Sequence, residues 1–390
     1  MQYLARVATN KFTSKRRLTS KELIQKARKL AQEIVAPITE SVDKEGRFPK
    51  EAYDALKKQG FMGLLVPKEF GGLGFSIVEH ASVCYELARK DATTGLCYMM
   101  HNTGTSGIIS FGSAAMKDEF LPKIAKGERA IALAYSESGS GTHFGLPDIS
   151  ESLENGVRVL NGRKSFVTSA LQADFYMTNT NSCKIKGAHN TWLVDRTLPN
   201  MIHEDSAWDG LGMRGNASMP VWYNGVRVDE KYLVGKEGDG GNHAIAIVMY
   251  FVVGLAAVYT GLAQAAYECI LEHTKKRKYT SGQALADIEM VRVQLAEIYT
   301  KAQSSYALTM EAARSFKENE SDAVGKIFAS RIHAINVVME VCAQALKLGG
   351  GTAYAKRLPL ERYMRDSLAS QVMAPGLDVL KIWLGEALVK

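Results

Sequence analysis

Residues 244–266 form the longest apolar run in the chain, and a run of that length must either cross a membrane or be buried by the rest of the protein. Tyr250, Gly254, Tyr259, Thr260, Gly261 and Gln264 interrupt it, and a strongly charged segment follows. That polar content favours a buried helix, which needs apolar partners on all sides. The chain can supply them: 390 residues, 46% hydrophobic and 23% charged, suit two or three packed units and no disordered class.

The partners differ before and after this run. Thr19-Ser20-Lys21-Glu22 has the spacing of a capping box, and Leu23, Ala27, Leu30, Ala31 and Ile34 recur at helical intervals up to Pro37. A second helix is expected from about Pro49 through Ala52, Tyr53 and Leu56, and glycines 71, 72 and 74 mark a tight turn. Apolar periods over 77–87 and 94–109 carry helical character to about residue 121. From Ala130 the texture changes. Residues 157–168 read as two strands joined at Asn161-Gly162, and alternation continues over 175–178, 191–194, 219–223 and 226–228. A glycine cluster at 235–241 closes this part, and helical periods return over 244–273, 286–316, 321–348 and 377–389, with Gly349-Gly350-Gly351 as a helix stop. The expected fold class is therefore α+β and multidomain. A basic leader (1–18) precedes an N-terminal α-helical domain (19–129), a middle antiparallel β-barrel or sandwich (130–236) and a C-terminal four-helix-bundle-like domain (237–390).

Charge and cysteines narrow the function. The net charge of +7 is concentrated near the start, where nine Lys and Arg between Arg6 and Lys29 face only Glu22. Without an apolar core or a small-residue cleavage site this is no secretory signal, and it reads as a solvated arm. Cys84, Cys97, Cys183, Cys269 and Cys342 stand singly with no CxxC pair, which argues against disulfides or zinc and for a reducing cytoplasm. No aromatic platform accompanies the basic residues, so nucleic acid is not an expected partner.

One stretch carries chemistry. Residues 135–143, Tyr-Ser-Glu-Ser-Gly-Ser-Gly-Thr-His, follow the apolar run 130–134. Small and hydroxylated residues after a strand let backbone N–H groups approach an anionic or carbonyl-rich ligand. Taken alone, the same composition also describes a surface loop.

Six ordered segments together resemble the acyl-CoA dehydrogenase family across nearly the whole chain. Residues 66–74 look like its PxExGGxG turn, and Ser136, Glu137, Gly139, Gly141 and Thr142 fall in register with its TEPxAGSD loop. Lys164-Ser165-Phe166-Val167-Thr168 resembles its KxWIT strand, Gly212-Met213-Arg214-Gly215 its GxRG, and Gly261-Leu262-Ala263-Gln264 its GLAQ. Gly350-Gly351 followed by Glu361-Arg362-Tyr363-Met364-Arg365-Asp366 resembles its GG and ERYxRD.

The resemblance implies a homotetramer binding FAD between the β part and the C-terminal helices, an acyl-CoA thioester as substrate and an electron-transferring flavoprotein as a partner. It places the backbone of Tyr135 and Ser136 at the flavin pyrimidine edge, Gly141 among the cofactor-binding residues, Thr142 at the pyrophosphate, Thr168 near N5, and Phe166, where the family usually has Trp, against the isoalloxazine. It assigns Arg277 to the cofactor phosphates of a neighbouring subunit, Lys347, where the family prefers Gln, to the adenosine part, and Gly350 and Gly351 to cofactor binding. Read from the residues alone, Phe166 and Thr168 suit plain strand packing, and Arg277 belongs to a solvated Lys-Lys-Arg-Lys run. Arg362 and the Arg365-Asp366 pair read as structural ion pairs.

The pattern breaks where catalysis is expected. The family's usual base, a Glu just before the last helix, falls on Ala374, and the alternative Glu position falls on Phe251, with Val252 where an arginine commonly follows. The catalytic residue is thus unassigned, with Tyr250, Phe251 and Ala374 expected in the substrate pocket. Asp378 is expected to cap the final helix. Three readings follow: an acyl-CoA dehydrogenase with a displaced base, a flavin monooxygenase or N-hydroxylase using FMN or FAD with His101 and His143 as candidates, or a flavin-binding protein without turnover.

Overall fold

A computed structural model describes residues 18–143, 145–204 and 208–389. The leader lies almost wholly outside them.

Thr19 caps α1 (Ser20–Leu30) through the expected reciprocal bonds with Glu22. Helices α2 (Thr39–Glu45), α3 (Lys50–Lys58), α4 (Ile77–Ala88), α5 (Ala92–Phe111) and α6 (Ala114–Ala125) follow. After the sheet come α7 (Gly240–Lys276), α8 (Glu289–Lys317), α9 (Ala323–Tyr354), α10 (Leu360–Val372) and α11 (Leu377–Leu388). The apolar run lies in α7, which packs against α4, α5, α8 and α9. Its most apolar window is 83% buried within the protein, so it is core. Each fully buried Leu, Ile or Val there contributes roughly 1.5–3 kcal/mol.

The middle strands are β1 (Ile131–Ala134), β2 (Ser150–Glu154), β3 (Val157–Val167), β4 (Phe175–Asn181), β5 (His189–Asp195), β6 (Met201–His203) and β7 (Met219–Val228). They form one curled sheet in the order β1-β4-β2-β3-β7-β6, with β5 on the other edge of β4. Tyr176 Oη on β4 meets His203 Nε2 on β6 at 2.9 Å, which draws the distant strand back over the sheet's own apolar core. The sheet is mixed rather than antiparallel, because β1 runs parallel to β4, with Ile131 opposite Phe175.

Two local expectations are corrected and one holds. The hairpin turns at Asn155-Gly156, whose φ values of 51° and 79° suit a two-residue I′ turn. Asn161-Gly162 instead lies inside β3 at a register shift, where Asn161 Oδ1 accepts the Gly225 N–H at 2.9 Å. Gly350 (φ 54°, ψ −145°) does interrupt α9, at a non-helical kink between its long first stretch and a short second one, as a glycine stop would. Gly376, rather than Asp378, is the N-cap of α11, and Asp378 lies in the first turn beside Lys381.

Candidate active site

The 135–142 loop leaves β1 and is held from beneath by a buried ion pair. Lys164 Nζ on β3 donates to Glu137 Oε1 and to the Asn179 carbonyl and Oδ1 at 2.7 and 2.8 Å. Glu137 Oε2 accepts the backbone N–H groups of Asp148 and Ile149 at 2.6 and 2.9 Å. Both charges are buried, and burial pulls the Lys164 ammonium down to about 8 against the attraction of Glu137. Glycine is favoured twice above this pair. A Cβ at Gly139 would lie 2.6 Å from Asp148 Oδ2, and Gly141 has φ +54°.

The loop forms one wall of a cavity of about 640 Å³. Tyr135, Ser136, Gly141 and Thr142 line it from the loop, Phe166 and Thr168 from the end of β3 and the residue after it, and Phe251 and Ala374 from the helical side. Thr168 Oγ1 pairs with Ser218 Oγ at 2.8 Å, whereas Ser165 Oγ is buried with no partner among the described residues. Phe166 is 59% exposed, edge-on to Trp208 with ring centroids 6.0 Å apart. Such a wall combines hydroxyl and backbone donors with aromatic surface. Among the described residues the only carboxylate lining the cavity is Glu137, already held by Lys164 and two backbone N–H groups.

Tyr250 is not in the cavity. Successive residues on a helix are turned by about 100°, so presenting Phe251 turns Tyr250 away. Its ring faces His80 and Phe316, and its carbonyl accepts from His80 at 3.1 Å. His101 is buried structural material: Nε2 donates to the Met62 carbonyl at 2.9 Å and Nδ1 accepts the Ile131 N–H at 3.2 Å. Burial lowers its pKa to about 4, so it joins α5 to β1 as a neutral ring. His143 is exposed and outside the lining. Arg277, Lys347, Gly350 and Gly351 also lie away from the cavity. A Cβ at Gly350 would be 4.0 Å from Arg277 Nη1, and Lys347 and Gly351 are exposed.

Arg365 binds both oxygens of Asp43, at 2.8 and 2.6 Å, and pairs with Glu361. Arg362 makes no ion pair among the described residues and stacks on Tyr363. Asp366 Oδ1 accepts the Met213 N–H at 2.6 Å and so fixes a segment of the cavity wall. Burial raises its carboxyl to about 7, opposed by that hydrogen bond and by Arg362. An unfolded Asp titrates near 4, so this group's stability contribution is complete below that pH and is lost as pH rises toward 7. The loss is about 1.4 kcal/mol per unit crossed. Asp366→Asn is therefore expected to flatten the decline in stability between pH 4 and 7, followed by urea unfolding at fixed pH. Parallel curves for the two proteins would contradict this assignment.

Two features escaped the residue pattern. Trp208 and Ser218 complete the cavity from segments with no motif of their own. The Glu137–Lys164 pair was present in the resembling segments without a role, although a lysine inside an otherwise apolar strand calls for a buried partner.

A helical part, a curled sheet and a helical bundle, meeting at a cavity walled by a glycine-bearing loop, define the class of flavoprotein oxidoreductases with this three-part fold. The family models for the acyl-CoA dehydrogenase N-terminal and C-terminal domains match residues 19–128 and 238–381. The chain belongs to the acyl-CoA dehydrogenase family, whose members are oxidoreductases acting on CH–CH bonds. An acyl-CoA dehydrogenase of Bacillus subtilis (strain 168) is 28% identical over 369 residues, 93% of this chain and 96% of its own. Cyclohex-1-ene-1-carbonyl-CoA dehydrogenase of Syntrophus aciditrophicus (strain SB) is 27% identical, covering 97% and 91%. The solved butyryl-CoA dehydrogenase of Megasphaera elsdenii superposes with a TM-score of 0.90 at 24% identity, over 95% of this chain and 98% of that one.

Proposed function

We propose that the chain binds FAD in this cavity and oxidises an acyl thioester between its α and β carbons with a displaced or unconventional base. The observation that carries this reading is the convergence of the 135–142 loop, Phe166, Thr168, Phe251 and Ala374 on one space. The donor set fits the group: Ser165 Oγ lacks a partner, and Thr168 and the loop backbone offer further polar groups beside an aromatic wall. Thr142 also lies against Gly376, where a Cβ would be 3.5 Å from its Cγ2. Gly376 is the N-cap of α11 and brings no side-chain cap, so the positive end of that helix favours a phosphate near Thr142. Bound FAD supplies a two-electron hydride acceptor. Thr168 and the loop N–H groups stabilise added negative charge, and Phe166 with Trp208 excludes water. Arg277 and Gly350, together but away from the cavity, support contribution to a neighbouring subunit's cofactor in a homotetramer.

A second reading, flavin-dependent oxygenation without α-proton removal, is favoured by one observation: among the described residues no uncommitted carboxylate or histidine lines the cavity. Anaerobic titration of the yellow protein with straight-chain and branched acyl-CoAs separates the two. Bleaching of bound FAD by one of them is the expected result. Flavin that is loosely held FMN, or that stays oxidised with every thioester, would put oxygenation first.

A further inference from the structure

Arg331 on α9 is wholly buried, and no carboxylate among the described residues pairs with it. Its Nη2 donates to the Ser370 carbonyl at 3.3 Å, and its guanidinium carbon lies 4.6 Å from the centroid of the Tyr259 ring. Among the described residues Nε and Nη1 have no partner in hydrogen-bonding geometry, and neither has the buried Ser370 Oγ. Three unanswered polar atoms thus gather around one α10 residue. An unpaired buried cation is strongly unfavourable, and so is each orphaned donor, unless an anion arrives to answer them.

The arrangement lies directly behind the cavity wall. Ala369, Val372 and Met373, the neighbours of Ser370 in the chain, line the cavity, and Met373 Sδ lies 3.9 Å from Tyr259 Oη. A single unbranched thioether therefore stands between the cavity and the ring on which Arg331 stacks, and methionine changes rotamer at little cost. We propose that Arg331 is a specificity-determining residue that receives the distal carboxylate of an acyl substrate, reached when Met373 swings off Tyr259, with Ser370 Oγ as a second donor. The substrate class is then a dicarboxylic acid carried as a mono-thioester. This rests on the reading of the cavity as an acyl-thioester site.

The test compares adipoyl-CoA with hexanoyl-CoA on the flavin-loaded protein, following the change in flavin absorbance on binding, and free adipate by thermal shift. Wild type is expected to hold adipoyl-CoA about tenfold or more tightly than hexanoyl-CoA, as charge-assisted hydrogen bonds allow. Arg331→Met should bring the two affinities together. Equal affinities in wild type, or a preference that survives Arg331→Met, would overturn the proposal. If neither thioester binds, the thioester reading fails by itself and free adipate decides: protection of wild type but not of Arg331→Met upholds Arg331, and no protection removes it. Should Arg331→Met not fold, Met373→Trp, which blocks the route, must abolish the preference.

Discussion

Ala374→Glu is expected to create or greatly raise acyl-CoA oxidation, by on the order of 10²–10⁴-fold, the usual contribution of a positioned general base. Ala374 lines the same cavity as Phe251 and Thr168, and the one carboxylate lining it among the described residues is already committed to Lys164. A carboxylate added here would have Phe251 and Met373 as neighbours in the wall, a setting that moves its pKa up toward neutrality, where a base works best. The measurement is the rate of anaerobic flavin reduction by a saturating acyl-CoA. An inert variant that still binds flavin would count against a CoA pocket.

Glu137→Gln should be the most damaging single change near the site. It leaves the Lys164 ammonium fully buried without its counter-charge, which costs roughly 3–5 kcal/mol when one partner of a buried pair is removed. It also weakens the acceptor that holds the Asp148 and Ile149 N–H groups, so the loop above should loosen and flavin should be lost on gel filtration. The double variant Glu137→Gln/Lys164→Met removes the stranded charge and should recover most of the stability but not all of the flavin binding. Urea unfolding of the three proteins decides the matter. A single variant within about 1 kcal/mol of wild type would show that the pair is dispensable, as exposed pairs are.

Much of the architecture is legible in residue periods, because burial imposes them directly. The α1 capping box and the buried character of α7 are both legible in the residues alone. What escaped was decided over distance. Asn161-Gly162 has the turn dipeptide, but Asn155-Gly156 is the pair with matching strands on both sides, and only pairing with β7 shows why the first stays extended. Parallel pairing of β1 with β4 joins segments separated by the whole 135–174 connection, which no local alternation reports. Within the candidate site the loop and strand positions were visible as segments. Tyr250 was misplaced because one residue along a helix changes the face, and Arg331 gave no signal because a single arginine in an amphipathic pattern looks like any solvated one.

The cavity wall includes Met100, Leu133, Trp208, Phe251 and Ala374, residues drawn from every part of the chain. Such contacts close large loops, and the entropy of that closure places them late in folding. No single part of the chain supplies this cavity by itself. Ligand retention consequently reports completed assembly, and a ligand bound only by the finished structure stabilises all of it at once, by about 2.7 kcal/mol at a hundredfold excess over its Kd.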